Sequence, residues 1–348
     1  MYSFKNDYSE GAHPRILNAL VESNLEQTVG YGEDYYTLKA IEALKNKIGD
    51  DNIDIHLLSG GTQTNLTAIS AFLRPHEAVI AANTGHVFTH ETGAIEATGH
   101  KVMTIEVSDG KLAPEHILSI LKAHTDEHMV KPKLVYISNP TEVGTIYYKS
   151  ELECLSKLCK ENKLIFYVDG ARLGSALQAK ENDLAFTDFA HLTDAFYVGG
   201  TKNGALLGEA LVISNDHLKE DFRFHLKQKG ALLAKGRVLG IQFSELFKDN
   251  LYLELAEHAN RMADRLRAAF HENSFHLLTS SPTNQLFPIL PNALIEKLEE
   301  NYSFHRWEEI DSEKSAIRLV TSWATKEEMV DGFIKDLRTF INETQIIK

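Results

Sequence analysis

The chain has 348 residues, 43% of them hydrophobic and 24% charged, which describes a globular protein of one large or two medium domains that needs neither disulfides nor a structural metal to fold. Its 36 Lys+Arg stand against 49 Asp+Glu, and the formal net charge of −13 disfavours nucleic acid or an anionic membrane as a partner. Two cysteines, Cys154 and Cys159, make neither a CxxC motif nor a zinc quartet, no long apolar run appears, and the opening residues show no targeting pattern, so a reduced, cytoplasmic protein is expected.

In chain order, short apolar runs alternate with helical patterns. The runs that read as strands cover 53–58, 78–82, 101–106, 134–138, 164–168, 194–198 and 206–213. Between them, 65–73, 90–97, 114–124, 149–161 and 185–190 carry helical spacing. Strands that are apolar throughout and separated by helices predict an α/β fold with a mostly parallel, seven-stranded central sheet flanked by helices. Ligands of such sheets sit at the carboxyl ends of the strands, where Gly, Asn, Asp and His gather in this chain. Two long helices are expected over 217–234 and 235–271, followed by strand, helix, strand and helix at 275–279, 291–301, 316–320 and 326–342. The expected organisation is an N-terminal segment, 1–28, packed with the small domain; a large α/β domain, 29–245; and a small α+β domain, 246–348.

Three local features can carry chemistry. The first is the run from Ser59 to Asn65 (Ser-Gly-Gly-Thr-Gln-Thr-Asn), between a strand and a helix. Its glycines let backbone N–H groups reach an anion at the helix start; the same residues also suit a tight turn capped by Thr62 or Thr64. It is neither a Walker A loop nor a GxGxxG fingerprint. The second is Asp169, at the end of the 164–168 strand, with Arg172 just beyond. A buried acid there needs a cation or a proton donor. It can hold a cofactor's protonated ring nitrogen while Arg172 binds an anionic group, or it can pair with Arg172 and close the strand end.

The third feature is Lys202, set among glycines and a threonine after the 194–198 strand. A confined lysine loses proton affinity and can form a Schiff base. An anion cradle, a strand-end acid and a strand-end lysine are together what pyridoxal phosphate (PLP) requires: a phosphate site, a partner for the pyridine nitrogen and an amine for the aldehyde. His86 follows the 78–82 strand and its turn, so it reaches the same edge, where an imidazole can stack on the ring or accept a proton from substrate. His86, His90 and Glu91 do not form HExxH and no third ligand is evident, so no metal site is expected. Among 16 histidines, His90 reads as an ordinary surface or packing residue.

On these residues the sequence resembles the threonine aldolases, a beta-eliminating lyase type within the fold-type I (aspartate aminotransferase-like) PLP enzymes. The resemblance covers nearly the whole chain. It rests on Asn6-Asp7, Tyr31-Gly-Glu-Asp34, Gly61-Thr-Gln-Thr-Asn65, His86 with Glu91, Asp169-Gly-Ala-Arg172, Thr201-Lys202 and Arg318-Leu-Val-Thr321. It implies that Lys202 is the Schiff-base lysine, Asp169 the partner of the pyridine nitrogen, Gly61 and Thr62 the phosphate site, and His86 the ring that stacks on the cofactor. It further implies that Arg172, beside the cofactor, and Arg318 hold the substrate carboxylate, with Asn6 at the N-terminal carboxylate-binding position. The family builds its active site at a dimer interface, so a homodimer or homotetramer is implied, with Tyr31 and Arg237 reaching in from the neighbouring chain.

One departure stands out. The chain reads Asn139-Pro-Thr-Glu142 where the best-known members carry Asn-Thr-His, which removes one candidate for handling the substrate hydroxyl. The implied reaction is retro-aldol cleavage of a β-hydroxy-α-amino acid, L-threonine or L-allo-threonine in type, to glycine and an aldehyde, with His86 or an ordered water as base. A related β-eliminating lyase, an aminotransferase and a catalytically silent PLP-fold protein are the alternatives.

Overall fold

The computed structural model describes residues 1–343. The chain opens with a two-residue strand, β1 (Tyr2–Ser3), and a helix, α1 (Pro14–Glu22), before α2 (Tyr35–Ile48) leads to the central sheet. Asp34 caps α2 by accepting the Thr37 N–H at 2.9 Å, and Gly49, with φ 81°, ends it in the left-handed conformation that glycine adopts without strain. Seven strands follow: β2 (Asp54–Leu58), β3 (Glu77–Ala82), β4 (Val102–Ile105), β5 (Lys131–Ser138), β6 (Ile165–Asp169), β7 (Ala195–Gly199) and β8 (Glu209–Ile213). Their spatial order is β2-β8-β7-β6-β5-β3-β4. All neighbours run parallel except β8, which is antiparallel to both β2 and β7. The loop between β7 and β8 has no room for a crossover helix, so the chain turns back on itself there.

Helices cover both faces of this sheet: α3 (Gly61–Phe72), α4 (His86–Thr89), α5 (Pro114–Ala123), α6 (Lys149–Glu161), α7 (Leu173–Leu177) and α8 (Phe186–Leu192). Side chains alternate between the faces along each strand. Val135, Phe166, Phe196 and Val212 pack with Ala40 and Leu44 of α2 and Leu152 of α6. Their neighbours Tyr136, Tyr167, Tyr197 and Leu211 pack on the other face with Ala68, Ile69 and Phe72 of α3. Three tyrosines thus share the α3 face, each two residues before the end of its strand.

Beyond the sheet the expected long helices are broken. The 217–234 stretch is helical only as a short 3-10 turn and α9 (Phe222–Gln228), with Gly230 at φ 70° beyond it. The 235–271 stretch divides into α10 (Arg237–Leu246) and α11 (Leu251–Glu272) because Asp249 and Asn250 sit at φ 54° and 64°, which Asp and Asn tolerate and a helix interior does not. The helix expected over 90–97 is replaced by α4 and a 3-10 turn, Glu96–Thr98, since Thr92 and Gly93 lie at φ 53° and 70°. At 275–279 no strand forms; Leu277 makes an isolated bridge to Pro288.

The C-terminal part carries more strand than the sequence suggests: β9 (Gln285–Leu286), β10 (Ile289–Pro291), β11 (Tyr302–Ser303), β12 (His305–Glu309) and β13 (Lys314–Val320). In its antiparallel sheet β13 is central, pairing with β9, β10 and β12. Two helices, α12 (Asn292–Glu299) and α13 (Glu327–Glu343), cover it. The N-terminal β1 pairs in parallel with β11, and Phe4 enters this smaller core beside Phe270, Leu290 and Phe333. Ala12 and Ile16, still within the 1–28 segment, belong instead to the larger core. Helix α11 spans both cores, with Leu251, Tyr252 and Leu255 in the larger and Met262, Leu266 and Phe270 in the smaller, so the chain passes between them inside a helix rather than at 245. Among the described residues, no helix is long and apolar enough to cross a membrane.

Candidate active site

Asp169 closes β6 at the carboxyl edge of the sheet and is 3% exposed. Its Oδ2 accepts hydrogen bonds from Tyr136 Oη at 2.7 Å and Asn65 Nδ2 at 3.0 Å, and its Oδ1 accepts the Ala171 N–H at 3.0 Å. Burial alone would raise its pKa. The charge of His86 and donors from Tyr197, Asn65 and Tyr136 outweigh burial and hold it below the ordinary value. Asp169 is therefore a buried carboxylate that stays ionised. Asp169 does not pair with Arg172, whose guanidinium is bonded to Asp7 instead.

Asn65 of α3 is fixed on three sides. Its amide donates to Asp169 and to Glu91 Oε1, at 2.7 Å, while its carbonyl accepts Tyr167 Oη at 3.0 Å. Glu91 Oε1 also lies 2.8 Å from His86 Nδ1. A carboxylate only accepts, so this contact assigns the proton to Nδ1 and leaves Nε2 available. The His86 N–H donates to Glu142 Oε1 at 2.9 Å, and Ser138 Oγ donates to the same oxygen at 2.6 Å. Burial pushes the Glu142 carboxyl above its ordinary pKa despite the Ser138 bond.

Lys202 follows β7, in the loop that turns back into β8. Burial, then the charge of Arg172, depresses its pKa against the opposing pull of Asp7, Asp169 and Glu209. Its amine makes no hydrogen bond or ion pair among the described residues. Glu209, 4% exposed at the start of β8, accepts the Gly200 N–H at 3.0 Å, and burial pushes it up to about 8. The anion cradle is equally open. Helix α3 begins at Gly61 with Gly60 as its cap, and no side chain caps it, so neither Thr62 nor Thr64 closes the turn; Thr64 Oγ1 instead donates back to Gly60 O at 2.9 Å. A Cβ at Gly60 would meet nothing within 4 Å, whereas one at Gly61 would lie 3.1 Å from Tyr197 Oη. The N–H groups of Gly61, Thr62 and Gln63 have no partner among the described residues, and the favourable end of the helix dipole lies with them.

Two arginines complete the edge. Arg172 is tied to Asp7 by Nε at 2.6 Å and Nη2 at 3.0 Å, a two-pronged pair that leaves Nη1. Asp7, 1% exposed, also accepts Asn284 Nδ2 at 3.0 Å. Arg318, in β13, donates Nη2 to Gln285 Oε1 at 2.5 Å and lies 5.4 Å from the Trp307 ring centroid. Its Nε is buried without a partner, and burial, then Arg172, lowers its pKa to about 10. A desolvated guanidinium with no carboxylate partner fits an anionic ligand. Asn6, next to Asp7, uses its Oδ1 to accept the Tyr8 N–H at 3.0 Å and Ser9 Oγ at 2.9 Å. Arg237 donates to the Ser23 and Glu26 carbonyls of its own chain, and Tyr31, at φ 60°, carries Lys227 over its ring.

The residues present fit PLP. An ionised strand-end acid, a lysine without a partner among the described residues, an uncapped helix start and a guanidinium with an unpaired Nε lie on one edge, where the cofactor and its amino-acid substrate would supply counter-charges. The structure adds Tyr136, Tyr167, Tyr197, Glu209 and Gln285 to the residues singled out from sequence, and gives Asp7 and Glu142, quoted there only within motifs, partners at the site. The tyrosines had a signal: Tyr136-Ile-Ser138, Tyr167-Val-Asp169 and Tyr197-Val-Gly199 repeat one pattern at three strand ends.

The Asp7–Arg172 pair generates a stability prediction. Burial would raise the Asp7 pKa, but Arg172 and then Lys202 hold it below its ordinary value. A depressed folded-state pKa gives stability that is present above the unfolded value, about 3.9, and lost as pH falls through the folded one. Asp7→Asn should therefore cost about 3–5 kcal/mol near neutral pH in urea unfolding, because it strands a buried guanidinium. The deficit should shrink at pH values below about 4; a deficit that stays constant into that range contradicts the assignment.

A family model for beta-eliminating lyases matches residues 7–292. Over 347 residues the chain is 32% identical to a low specificity L-threonine aldolase of Pseudomonas aeruginosa, covering 96% of this chain and 96% of that one. It matches a solved structure of threonine aldolase from Leishmania major with a TM-score of 0.97 and 50% identity, across 98% of this chain and 100% of that one. At 15% identity, a histidinol-phosphate aminotransferase of Clostridium acetobutylicum shares the fold, with a TM-score of 0.75 over 99% of this chain and 100% of that one. The seven-stranded sheet is accordingly that of the fold-type I enzymes. The chain belongs to the beta-eliminating lyase family.

Proposed function

We propose that the protein is a PLP-dependent aldehyde-lyase that cleaves a β-hydroxy-α-amino acid, L-threonine or L-allo-threonine in type, to glycine and an aldehyde. The observation that carries this reading is the ionised, fully hydrogen-bonded Asp169 on the same edge as a lysine of lowered pKa. When bound, the cofactor supplies an electron sink for the pair released from the broken bond.

The chain's own residues do the rest. The start of α3, at Gly61 and Thr62, would take the phosphate, and His86 would lie against the ring with its Nδ1 proton tied to Glu91. Asp169 would keep a proton on the pyridine nitrogen, since a carboxylate held ionised by its donors pairs with a cation at little further cost. Lys202 is the amine for the aldehyde, and its depressed proton affinity makes the neutral, nucleophilic form accessible. Arg318, with Nε free, and Arg172, with Nη1 free, would hold the substrate carboxylate; Asn6 stands beside the Asp7 that orients Arg172. Fixing the carboxylate would orient Cα and so select which of its bonds breaks, the choice between cleavage and amino transfer. Cleavage also needs a base for the β-hydroxyl proton, a role the sequence gives to His86 or an ordered water.

The cytoplasm is the compartment that the composition supports. A homodimer or homotetramer with the site at the dimer interface is supported by Val21, Leu25, Val29, Tyr35 and Leu38, apolar side chains left exposed along and between α1 and α2.

Incubating the PLP-reconstituted protein with L-threonine should release glycine and acetaldehyde. Lys202→Ala should remove both this activity and the visible absorption of the lysine-linked cofactor; transfer of the amino group to a keto acid, or an unchanged band in the variant, contradicts the reading. Arg318→Ala should lower kcat/KM for threonine about 10²–10³-fold by leaving the substrate carboxylate without its cation. A value close to that of the unsubstituted protein removes Arg318 from the carboxylate site.

A further inference from the structure

Sequence alone gives His90 no role, yet the fold brings it to the active edge. Helix α4 is one turn long, and the His90 N–H closes it on His86 O at 2.9 Å. The two imidazoles therefore share a face, with ring centroids 5.6 Å apart, His86 half-buried and His90 exposed one turn further out. Neither ring nitrogen of His90 makes a hydrogen bond among the described residues. The charged groups that bear on it come from three elements: His86 of α4, Arg318 of β13 and Lys202 of the β7–β8 loop. Partial burial, then the charges of these neighbours, lowers its pKa, which favours the neutral ring that can accept a proton.

The neighbouring groups are less suited to that task. His86 has Nδ1 committed to Glu91, and in the proposed site its ring lies against the cofactor. In the loop that departs from the family pattern, Thr141 is 1% exposed and its Oγ1 is bonded to Thr145 Oγ1 at 2.7 Å. Glu142 has Oε1 engaged by Ser138 and by the His86 N–H.

We propose that His90 is the catalytic base for the substrate's β-hydroxyl, supplying from α4 what the 139–142 loop does not. The inference rests on the lyase reading given above. His90 takes the hydroxyl proton; the O–H electron pair becomes the second C–O bond of the aldehyde, and the Cα–Cβ pair stays with Cα. A proton then adds to Cα to give glycine, so one proton moves from oxygen to carbon overall and no oxidant or reductant is consumed.

The test uses PLP-reconstituted wild type and His90→Asn with three readouts: the visible cofactor band, exchange of the glycine α-proton in D2O followed by NMR, and threonine cleavage. Glycine has no hydroxyl, so its exchange needs the cofactor, Lys202 and Asp169 but not this base. The variant should keep the band and the glycine exchange while threonine cleavage falls about 10²–10⁴-fold. Its remaining cleavage should lose the acid limb of the wild-type pH profile. A loss smaller than about tenfold, well short of general-base catalysis, overturns the proposal. So does a parallel loss of glycine exchange, which would mark His90 as structural support. If wild type exchanges glycine but does not cleave threonine, the lyase reading fails and this proposal falls with it.

Discussion

A negative charge held inside the molecule organises the rest of the structure. Burying a carboxylate costs several kcal/mol unless donors replace the water it loses. Asp169 meets that cost with Tyr136, Tyr197, Asn65 and the Ala171 N–H. Each donor comes from a different part of the chain, and each is itself constrained. Tyr136, Tyr167 and Tyr197 lie on the α3 face because side chains alternate along their strands, and Asn65 is in reach because α3 starts immediately after β2. From Asn65 the network continues through Glu91 to His86 and, by the His86 N–H, to Glu142 and Ser138. A change at any of these positions is felt as a change in the environment of one carboxylate.

The second set of charges is left incomplete. Asp7 and Arg172 satisfy each other and fasten the N-terminal segment to the sheet edge, while Asn284 ties the same carboxylate to the smaller core. Arg318 has no such partner among the described residues, keeping a buried Nε unpaired and a pKa lowered to about 10. Lys202 is likewise depressed, and unpaired among the described residues. Unsatisfied buried polar groups are uncommon in folded proteins, and the unpaired Arg318 Nε stands where a substrate carboxylate would complete it. The acidic net charge of −13 thus belongs to the outer surface, and the small cationic cluster at the strand ends runs against it.

The large domain was legible in the sequence because its strands are apolar throughout and its turns are marked by glycine. All seven strands lie where the runs at 53–58 to 206–213 place them, give or take a few residues. Less legible were features set by single backbone angles or by distant pairing. Asp249 and Asn250 break a helical pattern that periodicity reads as continuous, and Thr92 and Gly93 do the same after His90. Short strands such as Gln285–Leu286 and Tyr2–Ser3 exist only because β13 and β11 stand beside them. In the site, Lys202, Asp169 and the Gly60-Gly61 turn follow from residue type at strand ends. The Asp7–Arg172 pair could not be read so, because its partners are 165 positions apart. The role proposed for His90 is not legible locally either, because its setting is made by Arg318 and Lys202, which no local pattern connects to it.

The proposed chemistry requires that Asp169 remain ionised and hold a proton on the nitrogen of the cofactor ring. The most direct measurement is the NMR shift of PLP isotopically labelled at its ring nitrogen and bound to the protein near neutral pH. A protonated pyridinium shift that is lost in Asp169→Asn is the predicted result. An unprotonated nitrogen in the wild-type protein would contradict the account at its centre.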